Sequence, residues 1–330
     1  MKNATANRRH AIAAIAALCL GAPPSYAQSW PDKPIRLVVP SPPGGGTDAL
    51  SRLISAKLTE LVKWQFVVDN KAGAGGNLGM DLAAKSAPDG YTIVMGESSN
   101  LTINPYLYSK LPFDPVKDVT PVALVGAVPL VLVVASHRPY NSLPSLIVAS
   151  RIAYSQGKQL VFASSGNGTV GHLVGETWQR TTGAHWLHVP YKGAGPVMTA
   201  LLGDQVDMHF ASLPAAMPLI KAGKLRVLAV TSAKRLASMP EVPTLVESGA
   251  PDMVFHVMYG LMAPAGTPKP IVATLNVEVN RALQMPDLKA SLAERGVDPR
   301  PGTPEQFGAF LAAERAKWSK AVKASGAKVD

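Results

Sequence analysis

Short β-branched runs alternate with amphipathic stretches along most of this chain. Ile35 to Val39, "IRLVV", is closed by "PSPPGGGTD", and "ALSRLISAKLTELV" behind it carries apolar residues at helical spacing. "QFVVDN" reads as a second strand, "GAGGNLGMDLAAKSA" as a glycine-led helix and "YTIVMG" as a third strand. Strands separated by helices predict βαβ units on a parallel sheet. "VALVGAVPLVLVVAS" is then continuously apolar but broken by Gly126 and Pro129, which suits a strand leaving one sheet and entering another. A second block repeats the alternation. Its strands are "QLVFAS", "WLHVPY", "VDMHFAS" and "LRVLAVTS", and its helices are "PSLIVASRIAYSQG", "TVGHLVGETWQRTTG", "GPVMTALLGDQ" and "LPAAMPLIKAGK". "FHVMYGLMAP" reads as the return crossing, followed by three C-terminal helices that belong to the first block. The pattern predicts an α/β fold of two lobes, 28–127 plus 256–330 and 128–255, joined by two crossings. In such a fold a ligand sits between the lobes, where loops leave the carboxyl ends of strands.

The N-terminus fixes the compartment. Lys2, Arg8 and Arg9 precede an apolar run from Ala11 to Leu20 that is too short to span a bilayer, and "PPSYAQS" offers a cut after Ala27. This is the layout of an export signal over 1–27. The Arg8–Arg9 pair also fits twin-arginine export, but no Phe-Leu follows it, which favours the general route. The single cysteine, Cys19, falls inside the signal behind the large Leu18, so neither lipidation nor any thiol chemistry of the mature chain is expected. The chain carries +10 at neutral pH, and the signal holds three basic residues and no acid, which leaves +7. An excess of this size draws anions toward a cleft. The positive residues are scattered singly, however, without a basic block interleaved with aromatics, so no nucleic-acid partner is expected.

Two glycine loops carry the candidate chemistry. In "VVPSPPGGGTDALSRL", Gly44, Gly45 and Gly46 let a ligand approach the backbone, and Thr47 or Asp48 is placed to cap the next helix. In "FASSGNGTVGHL", Gly166, Gly168 and Gly171 do the same, with Asn167 or Thr169 as cap. A helix N-terminus presents unpaired N–H groups and a positive dipole end, so each loop is a candidate carboxylate cradle. The second loop also matches G-x-G-x-x-G. A dinucleotide site then needs an acid some twenty residues on, and no Asp or Glu lies between Glu176 and Asp204. No Walker lysine follows either loop, so no cofactor is expected. Ser98 and Ser99 follow a strand without the G-x-S-x-G elbow of a secreted hydrolase. His185 and His188 fall on opposite faces of a strand, which argues against a shared metal. His172 serves either packing behind the second loop or ligand contact, and Tyr191 with Lys192 either faces the cleft or sits in an ordinary loop.

Long motifs, among them "NKAGAGGNLGMDLAAKSAPDGYTIVMG", "SGNGTVGHLVGE" and "HVPYKGAGPVMTALLGDQVDMHF", make the chain from Trp30 to the C-terminus resemble the Bug proteins, receptors of tripartite tricarboxylate transporters. The resemblance implies a periplasmic, monomeric binding protein of the type II, Venus-flytrap class, not an enzyme. It implies capture of a dicarboxylate, tricarboxylate or aromatic carboxylate for a two-subunit membrane permease, or for a sensor where no permease exists. By the same resemblance the ligand contacts are Gly44, Gly45, Thr47 and Asp48 in the first loop. Those of the second loop are Ser164, Gly166, Asn167, Gly168, Thr169 and His172, with Ser98, Ser99, Tyr191 and Gly193 closing the sides. Two departures bear on the ligand. Ser41 replaces the family's usual aromatic residue and leaves a more open or more polar wall. Ala211 replaces an Asp or Asn, which argues mildly against an amino-acid ligand.

Overall fold

The computed structural model describes residues 30–325; the expected signal segment 1–27, with Cys19 and the cut at Ala27, lies outside them. Strand β1 (Ile35–Val39) lies between β2 (Phe66–Asn70) and β3 (Thr92–Glu97), parallel to both. Helices α1 (Gly46–Val62) and α2 (Asn77–Ala84) make the connections, as the alternation predicts. A single π turn, Ser99–Ile103, and the short α3 (Asn104–Leu107) follow β3.

Strand β4 (Val119–Ala135) is the first crossing. Over Val119 to Pro129 it pairs antiparallel with β9 (His256–Pro264), and from Leu130 onward it pairs with β7 (Met208–Ser212) and β8 (Leu225–Val230). The breakers inside it have local causes. A Cβ at Gly126 would lie 2.5 Å from the carbonyl of Asp298, because the two-residue strand β10 (Asp298–Pro299) docks there. The sequence pattern gave no sign of β10. Its two residues are held by the partner strand and carry no periodicity of their own.

Beyond β4 come α4 (Leu143–Ser155), β5 (Leu160–Ser164), α5 (Val170–Thr182), β6 (Trp186–Pro190), α6 (Ala194–Leu202) and α7 (Leu213–Lys221). Strand β5 runs parallel to β6 and β7. After β9 the chain ends in α8 (Lys269–Gln284), α9 (Pro286–Glu294) and α10 (Pro304–Ser325). The strand order is β2-β1-β3-β9-β4-β7-β5-β6.

Two buried apolar clusters separate along this sheet. One combines Val38, Met80, Val94 and Leu124 with Met258, Phe307 and Leu311, so the C-terminal helix joins the N-terminal strands. The other runs from Val131 through Val197, Leu213 and Leu225 to Val242. Thr231 ties the crossings together between them. Its hydroxyl donates to the Phe255 carbonyl at 2.6 Å and accepts from the Leu130 N–H at 2.8 Å, and its N–H reaches the Leu130 carbonyl at 2.9 Å. Among the described residues no helix is long and apolar enough to cross a membrane.

Candidate functional site

A cavity of about 600 Å³ opens where the loops after β1, β2, β3, β5 and β6 meet. The first loop leaves β1 at Pro40 and enters α1 at Gly46. The helix starts two or three residues earlier than a Thr47 or Asp48 cap requires, with Gly45 as N-cap (φ −80°, ψ 170°) and no side-chain cap. Asp48 instead reaches back from the first turn. Its carboxylate accepts from the Gly44 N–H, Arg52 Nε and Asn70 Nδ2, each at 3.0 Å, and Asn70 Nδ2 also donates to the Ser41 carbonyl at 3.0 Å. Burial would raise this carboxyl's pKa, but the Arg52, Gly44 and Asn70 donors prevail and hold it below the usual range. Gly44 and Asp48 therefore stand behind the wall. Gly45, Gly46 and Thr47 line the cavity, where the first-turn N–H groups of α1 have no intrahelical acceptor.

The second loop is built the same way. Thr169 caps α5 and accepts from the His172 N–H at 3.3 Å. Gly168 (φ +77°) needs the left-handed conformation that glycine supplies, and a Cβ there would overlap Leu107. Several amides of this loop are already taken. The Gly168 N–H donates to His172 Nδ1 at 3.1 Å and the Gly166 N–H to Ser164 Oγ at 3.3 Å. Ser165, Gly166, Asn167, Thr169, Val170 and Gly171 line the cavity, the Thr169 N–H being spent on the Gly166 carbonyl at 3.3 Å, while Ser164, Gly168 and His172 are set behind them. The sequence pointed to both the loop glycines and the helix N-termini. Of those glycines, Gly46 and Gly171 fall in the first helical turns, where the amides lack intrahelical acceptors.

His172 is thereby placed as a buttress. Its ring stacks on His188 (centroids 4.1 Å, 17° between planes), and His188 Nε2 meets Ser164 Oγ at 2.7 Å. Burial lowers both imidazoles to about 4, with the neighbouring ring adding to the effect on His188. Burial lowers the wholly enclosed His209 likewise to about 4. Ligating atoms of His172, His188 and Glu176 lie within 4.8 Å of one another. Parallel rings direct their nitrogen lone pairs along parallel planes, and one nitrogen of each is engaged, so the trio suits support of the loop better than chelation. His185 stands apart, stacked on Tyr154 at 3.8 Å. A pH dependence follows. Between about pH 6.5 and pH 4 the unfolded chain binds protons that these three folded rings refuse, so stability falls as pH drops through that window. Thermal melts from about pH 7 to pH 4.5 should show a falling Tm. In His172→Gln/His188→Gln that slope should be shallower; an identical slope would contradict this role.

Strand register decides the side walls. Along β7, Phe210 and Ser212 face the cavity, while Ala211 packs in the second apolar cluster beside its partner Val131. Position 211 thus lies on the helix side of the sheet, and the argument against amino acids drawn from Ala211 loses its basis. Ser98 is fully buried and accepts from the Met258 N–H at 2.9 Å, leaving Ser99 on the wall. Tyr191, Lys192 and Gly193 line the opposite side, with the Tyr191 N–H fixed to the Ser164 carbonyl at 2.9 Å. Ser41 is on the wall, its hydroxyl buried and without a hydrogen-bond partner among the described residues.

Sequence reading missed several wall residues, among them the loop Ala72 to Gly76, Tyr108, Phe210, Ser212, Glu97 and Tyr259, of which the last two carry the most chemistry. Glu97 ends β3 on the wall, and burial raises its carboxyl above the usual range. Tyr259, opposite it in the β3–β9 register, is buried with its hydroxyl bonded to Ser212. The signal for Glu97 was an acid closing an otherwise apolar strand. Tyr259 had none, since its strand is apolar throughout.

A family profile described as "Tripartite tricarboxylate transporter family receptor" matches residues 50–327. The chain is 38% identical over 309 residues to protein BugT of Bordetella pertussis, covering 93% of this chain and 94% of that one. Among solved structures it superposes on R. palustris Rpa4515 with adipate at a TM-score of 0.86. That pair is 36% identical, with 91% of this chain and all of that one covered. MatC from Rhodopseudomonas palustris with bound malate superposes at 0.81, 32% identical over 89% of this chain and all of that one.

Proposed function

The chain belongs to the tripartite tricarboxylate transporter receptor family, and we propose that it captures a small carboxylate in this cavity for delivery to a two-subunit membrane permease. One observation carries the reading: the first turns of α1 and α5 open onto the same cavity. Two sets of unpaired N–H groups and two positive dipole ends then face one anion. Charge-assisted hydrogen bonds of about 1.5–3 kcal/mol each, with an apolar wall, are enough for a micromolar complex near −8 kcal/mol. The bound molecules of Rpa4515 and MatC, adipate and malate, support a dicarboxylate.

The mode of action is binding without chemistry. The two apolar clusters support lobes of 28–127 plus 256–330 and 128–255, which close on the ligand by bending where Thr231 joins Leu130 and Phe255. The charged start, apolar run and small-residue site of 1–27 support export to the periplasm with cleavage after Ala27.

A thermal-shift screen of the mature chain against mono-, di- and tricarboxylates tests the reading. At about a hundred times its Kd a true ligand adds about 2.7 kcal/mol of stability. At least one dicarboxylate, tricarboxylate or aromatic carboxylate should raise Tm by several degrees. No shift with any acid at millimolar concentration would overturn the proposal.

A further inference from the structure

Glu97 is an acid in the wall of a cavity read as an anion site. Its neighbours do not neutralise it. Thr47 Oγ1 donates to Glu97 Oε2 at 2.6 Å and the Ser99 hydroxyl bonds beside it. Among the described residues it forms no ion pair, in contrast to Asp48 with Arg52 and Asp69 with Arg36 and Lys71. Tyr259, the residue opposite, is bonded to Ser212, and Tyr108 and Tyr191 also line the cavity. The one cationic side chain on the wall, Lys192, is exposed on the β6–α6 loop. Glu97 is half-buried in the open cavity, and a ligand that excludes water from it leaves its carboxylate with the Thr47 and Ser99 hydroxyls, which is costly unless a further donor meets it. A second ligand carboxylate brought against it would add like-charge repulsion.

Position defines where such a donor must be. Thr47 belongs to the first turn of α1 and also holds Glu97, so the carboxyl lies one side chain away from the amides assigned to the ligand's carboxylate. A donor on the carbon next to that carboxylate, or one carbon further, falls within this reach.

We propose that Glu97 is the specificity-determining residue of the cavity, accepting a hydrogen bond from an ammonium or hydroxyl group borne close to the ligand's bound carboxylate. This assignment rests on the carboxylate-receptor reading above. It narrows the ligand to amino or hydroxy acids and disfavours plain acids of the same length. The selectivity arises because the donor-free analogue leaves a buried acceptor unmet.

Calorimetry on matched probes tests it. The series are succinate, malate and aspartate; glutarate, 2-hydroxyglutarate and glutamate; and phenylpropionate, phenyllactate and phenylalanine. In at least one series the wild type should bind a donor-bearing member about tenfold or more tightly than the donor-free acid. The ammonium and hydroxyl members distinguish the two donors. In Glu97→Gln an ammonium advantage should vanish and the donor-free dicarboxylate should bind more tightly, with no loss of Tm in the absence of ligand. Glu97→Ser, which removes the acid altogether, should change the ranking in the same direction. Donor-free acids binding as tightly as their partners in every series, or an unchanged ranking in both variants, would overturn the assignment while leaving the receptor reading intact. Failure of every probe and of the broader acid screen would overturn both.

Discussion

Gly193→Ala is expected to weaken ligand binding roughly a hundredfold while the chain still unfolds cooperatively. Gly193 caps α6 at φ +115°, a conformation that L side chains rarely adopt. A Cβ there would fall 2.5 Å from Pro42 Cδ and 2.6 Å from its Cγ. Pro42 belongs to the loop after β1 and Gly193 to the loop after β6, so the contact joins the two sides of the cavity. The proline ring has no rotamer with which to yield. Backbone strain of about 1–3 kcal/mol and overpacking of similar size act together on this arrangement. A separation of the two sides relieves the overpacking, so the fold tolerates the change better than the complex does. About 2.7 kcal/mol lost from the bound state alone corresponds to the hundredfold. Calorimetry with the ligand found in the acid screen, alongside thermal melts, checks both halves. Wild-type affinity in this variant would show that the approach of Pro42 to Gly193 is irrelevant to capture.

Asp48→Ala carries the second large effect, and here stability and affinity fall together. The substitution removes the acceptor for Gly44, Arg52 and Asn70 at once. Arg52 is half exposed and is re-solvated, whereas the Gly44 amide and the Asn70 side chain lose the partner that shapes the loop. Hydrogen bonds to a charged group are worth about 1.5–3 kcal/mol each, so a total near 3 kcal/mol and a Tm lowered by roughly 6 °C are expected. Loss of loop order should weaken binding about tenfold. Asp48→Asn, which keeps an acceptor, should recover part of both. The sign with pH is fixed by the depressed pKa: the stabilisation is present above the usual carboxylate range and is lost as pH falls below it. An Asp48→Ala variant with unchanged affinity would remove this residue from the account.

Much of this was legible in the sequence because it depends on local signals. The apolar run from Val122 to Ser136, broken by Gly126 and Pro129, suits a crossing strand, and the structure has that strand at Val119–Ala135. The glycine loops were visible because glycine spacing between a strand and a helix is itself the signal. Thr169 as the α5 cap follows from its side chain and position. What stayed hidden depends on side chains that return to the backbone, or on strand register. No periodicity indicates that Asp48 will take the Gly44 amide or that His172 will take that of Gly168. Those two bonds are why Gly44 and Gly168 drop out while Gly46 and Gly171, inside the first helical turns, keep free amides. Register, equally silent in sequence, turns Ala211 to the core and brings Glu97 and Tyr259 to the wall.

The most direct test is a crystal structure of the mature chain with the acid that the screen identifies. The account predicts a ligand carboxylate in the cavity, its oxygens about 2.7–3.2 Å from first-turn amides of both helices: Gly46 or Thr47 on α1 and Val170 or Gly171 on α5. A carboxylate held by one helix alone, or a ligand bound outside this cavity, would contradict it.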